Sequence, residues 1–284
     1  MLLKNYKTTF LQELSSLYDE KEIESFFYLT LESFHQKKRI DLALNPEMEM
    51  DALQLLRWES VLVELKKQKP IQYILGETEF FGLPFLVNEN VLIPRPETEE
   101  LVQLIISNNL KIQQSNNLTI LDVGTGSGCI PIALKKNLPN AEVYAIDISE
   151  KALATAKKNA ELNNVEVHFR LKNILETQDL EQQFDIIVSN PPYVRELEKQ
   201  EIKKNVLDYE PHLALFVEDT DALLFYRKIA QLALKNLSPN GLLFFEINQY
   251  LGKETVELLE NLGFKNIELK KDIYGNDRMI KCSI

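Results

Sequence analysis

The tetrapeptide Asn190-Pro191-Pro192-Tyr193 carries groups that could orient a planar amide or amino nitrogen for reaction. It follows the apolar run FDIIVS, which predicts a buried strand, and ligands bind at the carboxyl ends of strands in open α/β sheets. Such a nitrogen is a poor nucleophile because its lone pair is delocalised. The side-chain oxygen of Asn190 and the main-chain oxygen of Pro191 could each accept one hydrogen from a substrate NH2, turning the lone pair towards an electrophile. The prolines restrict the backbone and remove competing N–H donors, and Tyr193 offers a ring face to a planar group.

A second motif is the glycine loop Gly124-Thr125-Gly126-Ser127-Gly128, which lies between a predicted strand and a predicted helix. Glycines let the backbone turn tightly and approach a ligand, and the helix start presents free N–H groups to an anionic group. Asp147 ends the next predicted strand, where a carboxylate can accept both hydroxyls of a ribose. The spacing G-x-G-x-G differs from the G-x-G-x-x-G of nicotinamide enzymes, and it favours S-adenosylmethionine over a dinucleotide.

The two motifs together predict methyl transfer in which the protein positions the reacting groups. S-adenosylmethionine carries the reactive sulfonium itself, so no His or Cys nucleophile is required. His35, His168 and His212 are scattered along the chain, and no Cys/His pair has metal-ligand spacing, so we expect no metal site. Two cysteines, Cys129 and Cys282, cannot make a disulfide framework, which indicates a reducing cytoplasm.

From residue 118 onward, predicted strands and helices alternate. The predicted strands are LTILDVG, AEVYAID, VEVHFRL, FDIIVSN, GLLFFEI and a final pair, and the predicted helices are CIPIALKKNL, SEKALATAKKNAEL, ALLFYRKIAQLAL and KETVELLENLG. This alternation predicts an α/β fold with a mostly parallel sheet and helices on both faces. The runs TILDV and DIIVS are continuously apolar, as expected for strands buried on both faces.

The segment before this region has a different pattern. Residues 1–75 contain no glycine, and their apolar residues recur at three- and four-residue steps, which predicts a small helical bundle. Residues 71–93 alternate around Gly and Pro, which predicts a hairpin joining two domains. Pro96 and nearby carboxylates then predict a helix start, and that helix extends to Leu110. We therefore predict an N-terminal helical domain over 1–72, a β-hairpin linker over 73–95 and a catalytic domain over 96–284.

Composition excludes several classes of protein. The 284 residues are 45% hydrophobic and 26% charged, which is ordinary for a globular chain and argues against bulk disorder. No apolar run approaches the roughly 18 residues that a membrane span needs. The net charge is −11, and residues 1–75 account for only −2 of it. Such an acidic surface repels phosphate backbones, so nucleic acid is a disfavoured substrate.

Several motifs in combination resemble the PrmC/HemK family. They are the glycine loop, the Asn-Pro-Pro-Tyr tetrapeptide, Gln72-Tyr73-Ile74-Leu75-Gly76-Glu77, Phe80-Phe81-Gly82, Ile93-Pro94-Arg95-Pro96-Glu97-Thr98-Glu99, Glu210-Pro211 with Ala214-Leu215, and Gly275-Asn276-Asp277-Arg278. The resemblance runs from about residue 70 to the C-terminus. It implies a class I, seven-stranded, Rossmann-like methyltransferase domain preceded by a small helical bundle. It also implies that the chain methylates N5 of the glutamine in the Gly-Gly-Gln motif of class 1 peptide chain release factors, leaving S-adenosylhomocysteine.

The resemblance also implies roles for individual residues. The cofactor contacts fall on Gly124, Thr125, Gly126, Ser127, Gly128, Asp147 and Asn190, and the substrate-glutamine pocket falls on Asn190, Pro191, Pro192 and Tyr193. The family often has an aromatic residue beside the adenine after the third strand, but this chain has Lys172-Asn173-Ile174-Leu175 there. We expect Asn173 to bond the adenine amino group and Ile174 to pack on its face. Arg95 is predicted either to contact the release factor or to hold the interdomain hinge.

Two other functions compete with this hypothesis. One is methylation of adenine N6 in DNA or of an exocyclic amine in ribosomal RNA, since both can use the same tetrapeptide pocket. The other is a non-catalytic binding module that kept the fold, against which the intact motifs argue. For the leading hypothesis, we expect a cytoplasmic monomer with a release factor as its partner, no membrane and no direct nucleic-acid contact.

Overall fold

The computed structural model describes residues 1–109 and 118–284. Within this part of the chain, the helices are α1 Leu3–Leu14, α2 Glu20–His35, α3 Arg39–Leu44, α4 Ala52–Lys66, α5 Ile71–Leu75, α6 Pro96–Asn109, α7 Cys129–Asn137, α8 Glu150–Leu162, α9 Lys204–Tyr209, α10 His212–Leu215, α11 Leu224–Asn236 and α12 Gly252–Leu262. The strands are β1 Glu77–Phe80, β2 Leu83–Leu86, β3 Thr119–Val123, β4 Glu142–Asp147, β5 His168–Leu171, β6 Phe184–Ser189, β7 Val194–Arg195, β8 Phe216–Val217, β9 Leu237–Glu246, β10 Lys265–Lys271 and β11 Asp277–Ser283. Two short 3₁₀ helices span Glu196–Glu201 and Asp219–Asp221. Contacts divide the chain into two compact units: unit 1 is Met1–Gly76 with Lys203–Tyr209, and unit 2 is Glu77–Ile202 with Glu210–Ile284.

Unit 1 is helical and packs around one aromatic cluster, which confirms the prediction of helices over residues 1–75. Trp58 on α4 is fully buried between rings from α1 and α2, including Phe10 and Phe27 at centroid distances of 5.9 and 4.9 Å. Asp19 and Asp51 cap α2 and α4 by accepting a backbone N–H from the first turn of each helix. Caps of this kind satisfy donors that the helix cannot pair internally.

The buried tryptophan is held by a titratable partner, which predicts a pH-dependent stability of unit 1. The Trp58 indole N–H donates to His35 Nε2 at 2.9 Å, so His35 must be neutral at that nitrogen. Burial, with help from the Arg57 charge, lowers the pKa of His35 below its usual 6.5. Because the unfolded chain then binds more protons, the stabilisation is complete above about pH 6.5 and is lost as the pH falls through the lowered pKa.

Trp58 is the single tryptophan, so its fluorescence reports on unit 1 alone. We expect urea midpoints followed by this signal to drop between pH 7.5 and 5.5 more in the wild type than in His35→Gln. Glutamine can accept the indole hydrogen without titrating, which makes it the matched control. Equal pH dependence of the two proteins would show that His35 does not couple protonation to stability.

Unit 2 is built on a seven-stranded sheet of order β10-β11-β9-β6-β3-β4-β5. Strands β9, β6, β3, β4 and β5 run parallel to one another, and β11 lies antiparallel between β9 and β10. One face packs a core cluster with α11 and α12, and the other packs a cluster with α6 and α7. This arrangement confirms the predicted α/β fold, in which parallel strands are buried on both faces.

The hairpin region differs from the predicted linker over 73–95. Residues 71–75 form helix α5, which ends at Gly76 in the left-handed conformation. The hairpin itself is β1–β2, and its buried Phe80 and Phe85 belong to the core cluster of α6 and α7. The hairpin is therefore part of unit 2, because its apolar side chains complete that core. The predicted end of α6 at Leu110 lies outside the described residues, since the described helix ends at Asn109.

The segment 194–221 follows the tetrapeptide and contains several short elements. The charged composition of residues 196–204 is typical of a solvated face or of a flap over a substrate. Instead, the first part is a 3₁₀ helix in which Glu198 is buried and accepts hydrogen bonds from Arg195 and Asn248. The polar composition of this segment did not indicate the burial, because paired charged groups can be buried when their hydrogen bonds are satisfied.

Among the described helices, none has the length and apolar character needed to cross a membrane.

Candidate active site

A cavity of about 220 Å³ lies at the carboxyl ends of the parallel strands of unit 2. It is lined by residues that include the backbone of the glycine loop, the end of β4, the segment after β5 and the start of the tetrapeptide. Among them are Gly124, Gly126, Asp147, Ile148, Asn173, Ile174, Asn190, Pro191 and Pro192, together with Asn90–Leu92 and Phe225. The parallel topology thus brings together motifs that the sequence separates by more than sixty residues.

The glycine loop connects β3 to α7, and backbone hydrogen bonds hold it against β4. Gly124 N–H donates to Ile146 O at 2.9 Å, and Gly126 N–H donates to Asp147 Oδ2 at 2.8 Å. Gly126 has a φ of +55°, and a Cβ at that position would have no heavy atom within 4 Å. The loop therefore presents open backbone to the cavity, as expected for a surface that a ligand approaches closely.

Gly128 has a different reason for being glycine. Its φ is +82°, and a Cβ there would lie 3.0 Å from Ile132 Cδ1 and 3.1 Å from Ala156 Cβ. Since these atoms belong to α7 and α8, glycine is required for the close packing of those helices. Ser127, one residue earlier, is buried within the same turn. The predicted role of the loop thus divides between ligand approach at Gly126 and helix packing at Gly128.

Asp147 ends β4 and lines the cavity. Oδ2 accepts the Gly126 N–H, and Oδ1 accepts the Ser149 N–H at 2.9 Å. Each carboxylate oxygen has a second lone pair, so both can accept another hydrogen. The two contacts therefore fix the orientation of the carboxylate.

The predicted adenine side of the cavity contains no aromatic residue in the stretch after β5. Asn173 and Ile174 both line the cavity, and Asn173 Oδ1 accepts the Leu175 N–H at 3.1 Å. The cavity does contain an aromatic ring, since Phe225 of α11 is among its lining residues. Sequence reasoning missed Phe225 because nothing in the helical pattern distinguishes it from a core residue.

The tetrapeptide leaves the carboxyl end of β6 and directs Asn190 into the cavity. Asn190 Nδ2 donates to Thr98 Oγ1 at 3.2 Å, which turns Oδ1 to the other side of the planar amide. Pro191 and Pro192 line the cavity next to it. The Tyr193 hydroxyl donates to Glu246 Oε1 at 3.1 Å, so this side chain is anchored by the end of β9. Burial, reinforced by the Glu246 charge, raises the Tyr193 pKa and keeps the phenol neutral.

Polar side chains form a row across the carboxyl edge of the sheet on the face that packs α6 and α7. Asp147 on β4, Asp122 on β3, Asn190 after β6 and Glu246 on β9 have the same side-chain parity as the neighbouring apolar residues of that face. Sequence reasoning identified Asp147 and Asn190 and missed Glu246. The sequence did contain a signal for Glu246, because this carboxylate ends the apolar run LLFFE. A carboxylate that is buried at the end of a strand needs hydrogen-bond partners.

Asp122 lies directly beneath the glycine loop. It is fully buried, and neither carboxylate oxygen has a hydrogen-bond partner among the described residues. Burial raises its pKa to about 7, and the nearby Asp147 charge acts in the same direction. A carboxyl group with that pKa is partly protonated at neutral pH, so Asp122 supplies only part of a negative charge beneath the loop.

Asn248 supports the tetrapeptide from the loop after β9. Its Nδ2 donates to Tyr193 O at 2.9 Å and to Glu198 Oε2 at 2.8 Å, and its side chain is buried. The end of β9 therefore holds Tyr193 by both its hydroxyl and its main chain.

Arg95 takes part in an ion pair within unit 2. Its guanidinium contacts Oε1 of the buried Glu210, and Glu210 Oε2 accepts the Ile93 N–H at 3.2 Å. The pair fixes the segment before α6 against the segment that contributes Pro211 and Ala214 to the cavity wall. Arg95 therefore has a specific partner here, and a direct substrate contact stays a prediction.

A polar ladder on α8, defined as Thr155, Asn159 and Asn163, holds the strand that leads into the cavity wall. Asn163 donates to Pro84 O, Asn159 pairs with both backbone groups of Leu86, and Thr155 accepts from Asn88. The spacings match, because four helical residues rise about 6 Å and two strand residues about 6.6 Å. Asn159 also donates to Ser127 O at 2.9 Å, so it links the hairpin to the glycine loop.

Removing the central rung of the ladder should destabilise unit 2 and weaken cofactor binding together. Asn159→Ala leaves three backbone groups of Leu86 and Ser127 without partners, which we expect to cost about 3 kcal/mol of unfolding free energy. Chemical denaturation measures that loss, and calorimetric titration with S-adenosylhomocysteine measures the affinity. Asn137→Ala removes an exposed helical asparagine and is the control. An Asn159→Ala variant with wild-type stability and wild-type affinity for S-adenosylhomocysteine would show that the ladder does not support the site.

The cavity suits S-adenosylmethionine on three independent grounds. The open glycine backbone admits a close ligand, the fixed Asp147 carboxylate can accept ribose hydroxyls, and Asn173 with Ile174 and Phe225 can flank a purine. These residues would hold the group that the glycine spacing predicted.

Comparison with curated proteins finds relatives along the whole chain. It is 73% identical over 283 residues to the release factor glutamine methyltransferase of Flavobacterium psychrophilum, with 100% of this chain and 99% of that protein covered. It is 44% identical to the enzyme of the same name from Bacteroides thetaiotaomicron, with 96% of each covered. The family model of the PrmC N-terminal domain matches residues 8–76, and that of the methyltransferase small domain matches residues 102–212.

Comparison with solved structures identifies the fold of the larger unit. A methyltransferase from Pyrococcus furiosus aligns with a TM-score of 0.51 at 20% identity, covering 72% of this chain and 91% of that one. The 16S rRNA N2 G1207 methyltransferase of Thermus thermophilus, solved with AdoMet and guanosine, aligns with a TM-score of 0.52 at 20% identity. That alignment covers 73% of this chain and 49% of the other. With the seven-stranded sheet, these similarities confirm the predicted class I methyltransferase fold.

Proposed function

The chain belongs to the release factor glutamine methyltransferase family, and we propose that it methylates class 1 peptide chain release factors with S-adenosylmethionine. The acceptor in this proposal is the side-chain nitrogen N5 of the glutamine in the Gly-Gly-Gln motif. The product cofactor is S-adenosylhomocysteine. The resemblance of the motifs to the PrmC/HemK family led to the same activity.

One observation carries the proposal. Asn190 projects into the cavity that Gly126 and Asp147 also line, and its amide nitrogen is engaged by Thr98. Because the amide is planar, its oxygen is thereby directed away from Thr98. An amide oxygen in that position is an acceptor for the NH2 group of a substrate carboxamide.

The residues of this chain contribute positioning. Asn190 Oδ1 and the main-chain oxygen of Pro191 would each accept one hydrogen of the glutamine amide, fixing the plane of its nitrogen. When bound, S-adenosylmethionine supplies an electrophilic methyl group on a sulfonium. Each hydrogen bond contributes roughly 1 kcal/mol to binding, whereas a misplacement of about 1 Å can cost about 10²-fold in rate. Geometry is therefore the main contribution of the tetrapeptide.

The two units have different roles in this proposal. Unit 2 holds the cofactor and the glutamine, and unit 1 recognises the body of the release factor. Residues 8–76 match the family model of the PrmC N-terminal domain, which supports a role for unit 1 that is distinct from cofactor binding in unit 2. The net charge of −11 supports a protein substrate over a nucleic acid.

Transfer of label tests the proposed function. Purified protein is incubated with methyl-labelled S-adenosylmethionine and, in separate reactions, with a class 1 release factor, duplex DNA or ribosomal RNA. We expect label only in the release factor, and peptide mass spectrometry should place one methyl group on the glutamine of its Gly-Gly-Gln motif.

A release factor in which that glutamine is replaced by glutamate is the matched control substrate. It keeps the shape of the side chain and lacks the accepting nitrogen, so it should remain unlabelled. Label on nucleic acid, or equal labelling of the glutamate substrate, would contradict the proposed function.

A further inference from the structure

The orientation of Asn190 depends on two buried side chains that do not line the cavity. Asn190 Nδ2 donates to Thr98 Oγ1 at 3.2 Å, and Thr98 Oγ1 donates to Glu246 Oε2 at 2.7 Å. Thr98 and Glu246 are only 2% and 1% exposed. Water therefore cannot replace either partner without rearrangement of the site, so the hydrogen bonds between them are obligatory.

The direction of each hydrogen bond follows from the chemistry of its members. An ionised carboxylate accepts only, so the single hydroxyl hydrogen of Thr98 must be directed at Glu246. Thr98 then has only lone pairs left for Asn190, and a lone pair requires a donor. Asn190 must therefore present its NH2 group to Thr98 and its oxygen to the opposite side. A neutral donor in place of Glu246 would remove this constraint, because the amide of Asn190 could then turn over.

Several groups around Glu246 affect its charge. Thr98 and Tyr193 both donate to its oxygens, and the neighbouring Arg278 favours the ionised form. Burial has the opposite effect and raises the Glu246 pKa, as does the charge of Glu97. Two donors on two oxygens leave the carboxylate satisfied as an acceptor, which is the condition under which burial of a charge is tolerated.

We propose that Thr98 and Glu246 are positioning residues that select one of the two amide orientations of Asn190 and so place its oxygen towards the substrate glutamine. This inference rests on the proposed function and deepens it. Glu246 on β9 accepts the Thr98 hydrogen, so Thr98 can only accept from Asn190. The hydroxyl of Thr98 thereby links the carboxylate of Glu246 to the orientation of the tetrapeptide. Neither residue contacts the cofactor cavity, so their effect is on catalysis after both substrates have bound.

Substitution of Thr98 directly tests the relay, by which we mean the chain of hydrogen bonds from Asn190 through Thr98 to Glu246. Thr98→Val keeps the volume and removes the hydroxyl, and we expect kcat for release-factor methylation to fall by about 10²-fold. The dissociation constant of S-adenosylmethionine and the KM for the release factor should each change by less than about threefold. Thr98→Ser restores the hydroxyl and should return kcat to within about threefold of wild type. This rescue separates the hydroxyl from the general packing of α6.

Substitution of Glu246 provides a second, independent measurement. Glu246→Gln is isosteric, and its NH2 group can donate to Thr98, which permits the reversed orientation of Asn190. We expect a loss of kcat similar to that of Thr98→Val, and a double variant slowed by no more than about threefold beyond either single one. Such non-additivity is the signature of residues acting as one unit. The control is Thr255→Val, which removes another buried threonine hydroxyl on α12 and should leave kcat unchanged.

The outcomes distinguish failure of the relay from failure of the proposed function. A wild-type protein that transfers no methyl group to the release factor contradicts the function before any variant is made. If the wild type is active and either Thr98→Val or Glu246→Gln, when folded, keeps its kcat, the relay is wrong. A loss confined to KM or cofactor affinity, or no rescue by Thr98→Ser, also overturns it. Melting curves establish which variants are folded. If Thr98→Val is not folded, the kcat of Glu246→Gln alone decides whether the relay is correct.

Discussion

Replacing Asn190 by alanine is expected to lower kcat for release-factor methylation by about 10²-fold or more. The variant loses the side-chain oxygen that would accept a hydrogen from the substrate amide, so the nitrogen can rotate out of line with the methyl group. Because the backbone oxygen of Pro191 remains, one of the two acceptors survives and some transfer persists. The expected cost in unfolding free energy is only about 1 kcal/mol, the value of the hydrogen bond to Thr98.

Single-turnover kinetics at saturating cofactor and release factor measure this effect on the chemical step. Asn140→Ala, a substitution of an exposed asparagine in the turn before β4, is the matched control and should leave the rate unchanged. A transfer rate for Asn190→Ala equal to that of wild type would show that the tetrapeptide does not orient the glutamine. Loss of folded protein, detected by thermal melting, would assign Asn190 a structural role instead.

Replacing Asp147 by alanine is expected to weaken S-adenosylmethionine binding by roughly 10²-fold, since hydrogen bonds to a charged acceptor contribute about 1.5–3 kcal/mol. The carboxylate also accepts the N–H groups of Gly126 and Ser149, so its removal loosens the glycine loop as well. Calorimetric titration with S-adenosylmethionine and with S-adenosylhomocysteine measures the affinity. At saturating cofactor, we expect kcat to recover to within about tenfold of wild type, because Asp147 does not touch the reacting atoms.

The control for this experiment is Glu161→Gln, which removes an exposed carboxylate near the other end of α8. It alters net charge as much as Asp147→Ala does and leaves the cavity intact. An unchanged dissociation constant in Asp147→Ala would refute the assignment of this carboxylate to the ribose. A change of equal size in both variants would attribute the effect to long-range charge.

The two strongest predictions concern residues on opposite sides of the same cavity. Asp147 is expected to act on cofactor affinity and Asn190 on the rate of transfer. Asn190 and Asp147 share a face of the sheet, and the ends of β6 and β4 place them on either side of β3. A variant that changes the wrong quantity, affinity for Asn190 or rate for Asp147, would show that the cavity is used differently.

Local sequence was sufficient to find two motifs that line the cavity, because each motif is contiguous in the chain. The glycine loop and the tetrapeptide each contain, within a few residues, the backbone conformation and the groups that the proposed chemistry needs. Parallel strands necessarily carry their carboxyl ends to one edge, so Asp147 could be placed near these motifs before any coordinates were known. The alternation of strands and helices likewise predicted the sheet, because hydrophobic periodicity records burial directly.

Other features depended on contacts between distant segments, and sequence alone did not reveal them. Nothing in the sequence links Thr98, in the first turn of α6, to Glu246, yet its hydroxyl donates to that carboxylate 148 positions away. Phe225 looked like any core residue of an amphipathic helix. The hairpin had been predicted to link two domains, yet Asn159 and Asn163 bind its backbone to α8. Predicting such pairings requires knowledge of which strands and helices are neighbours in the fold.

By itself, the sequence determined that this protein carries a glycine loop and the Asn-Pro-Pro-Tyr tetrapeptide at the carboxyl ends of parallel strands, because those features reside in short segments. Only the tertiary structure decided how the tetrapeptide is held. The insertion of β11 beside β9, and of β9 beside β6, places Glu246 next to Thr98 and Tyr193. The direction of a buried hydrogen bond depends on every partner in the chain of donors and acceptors, and those partners are brought together by packing.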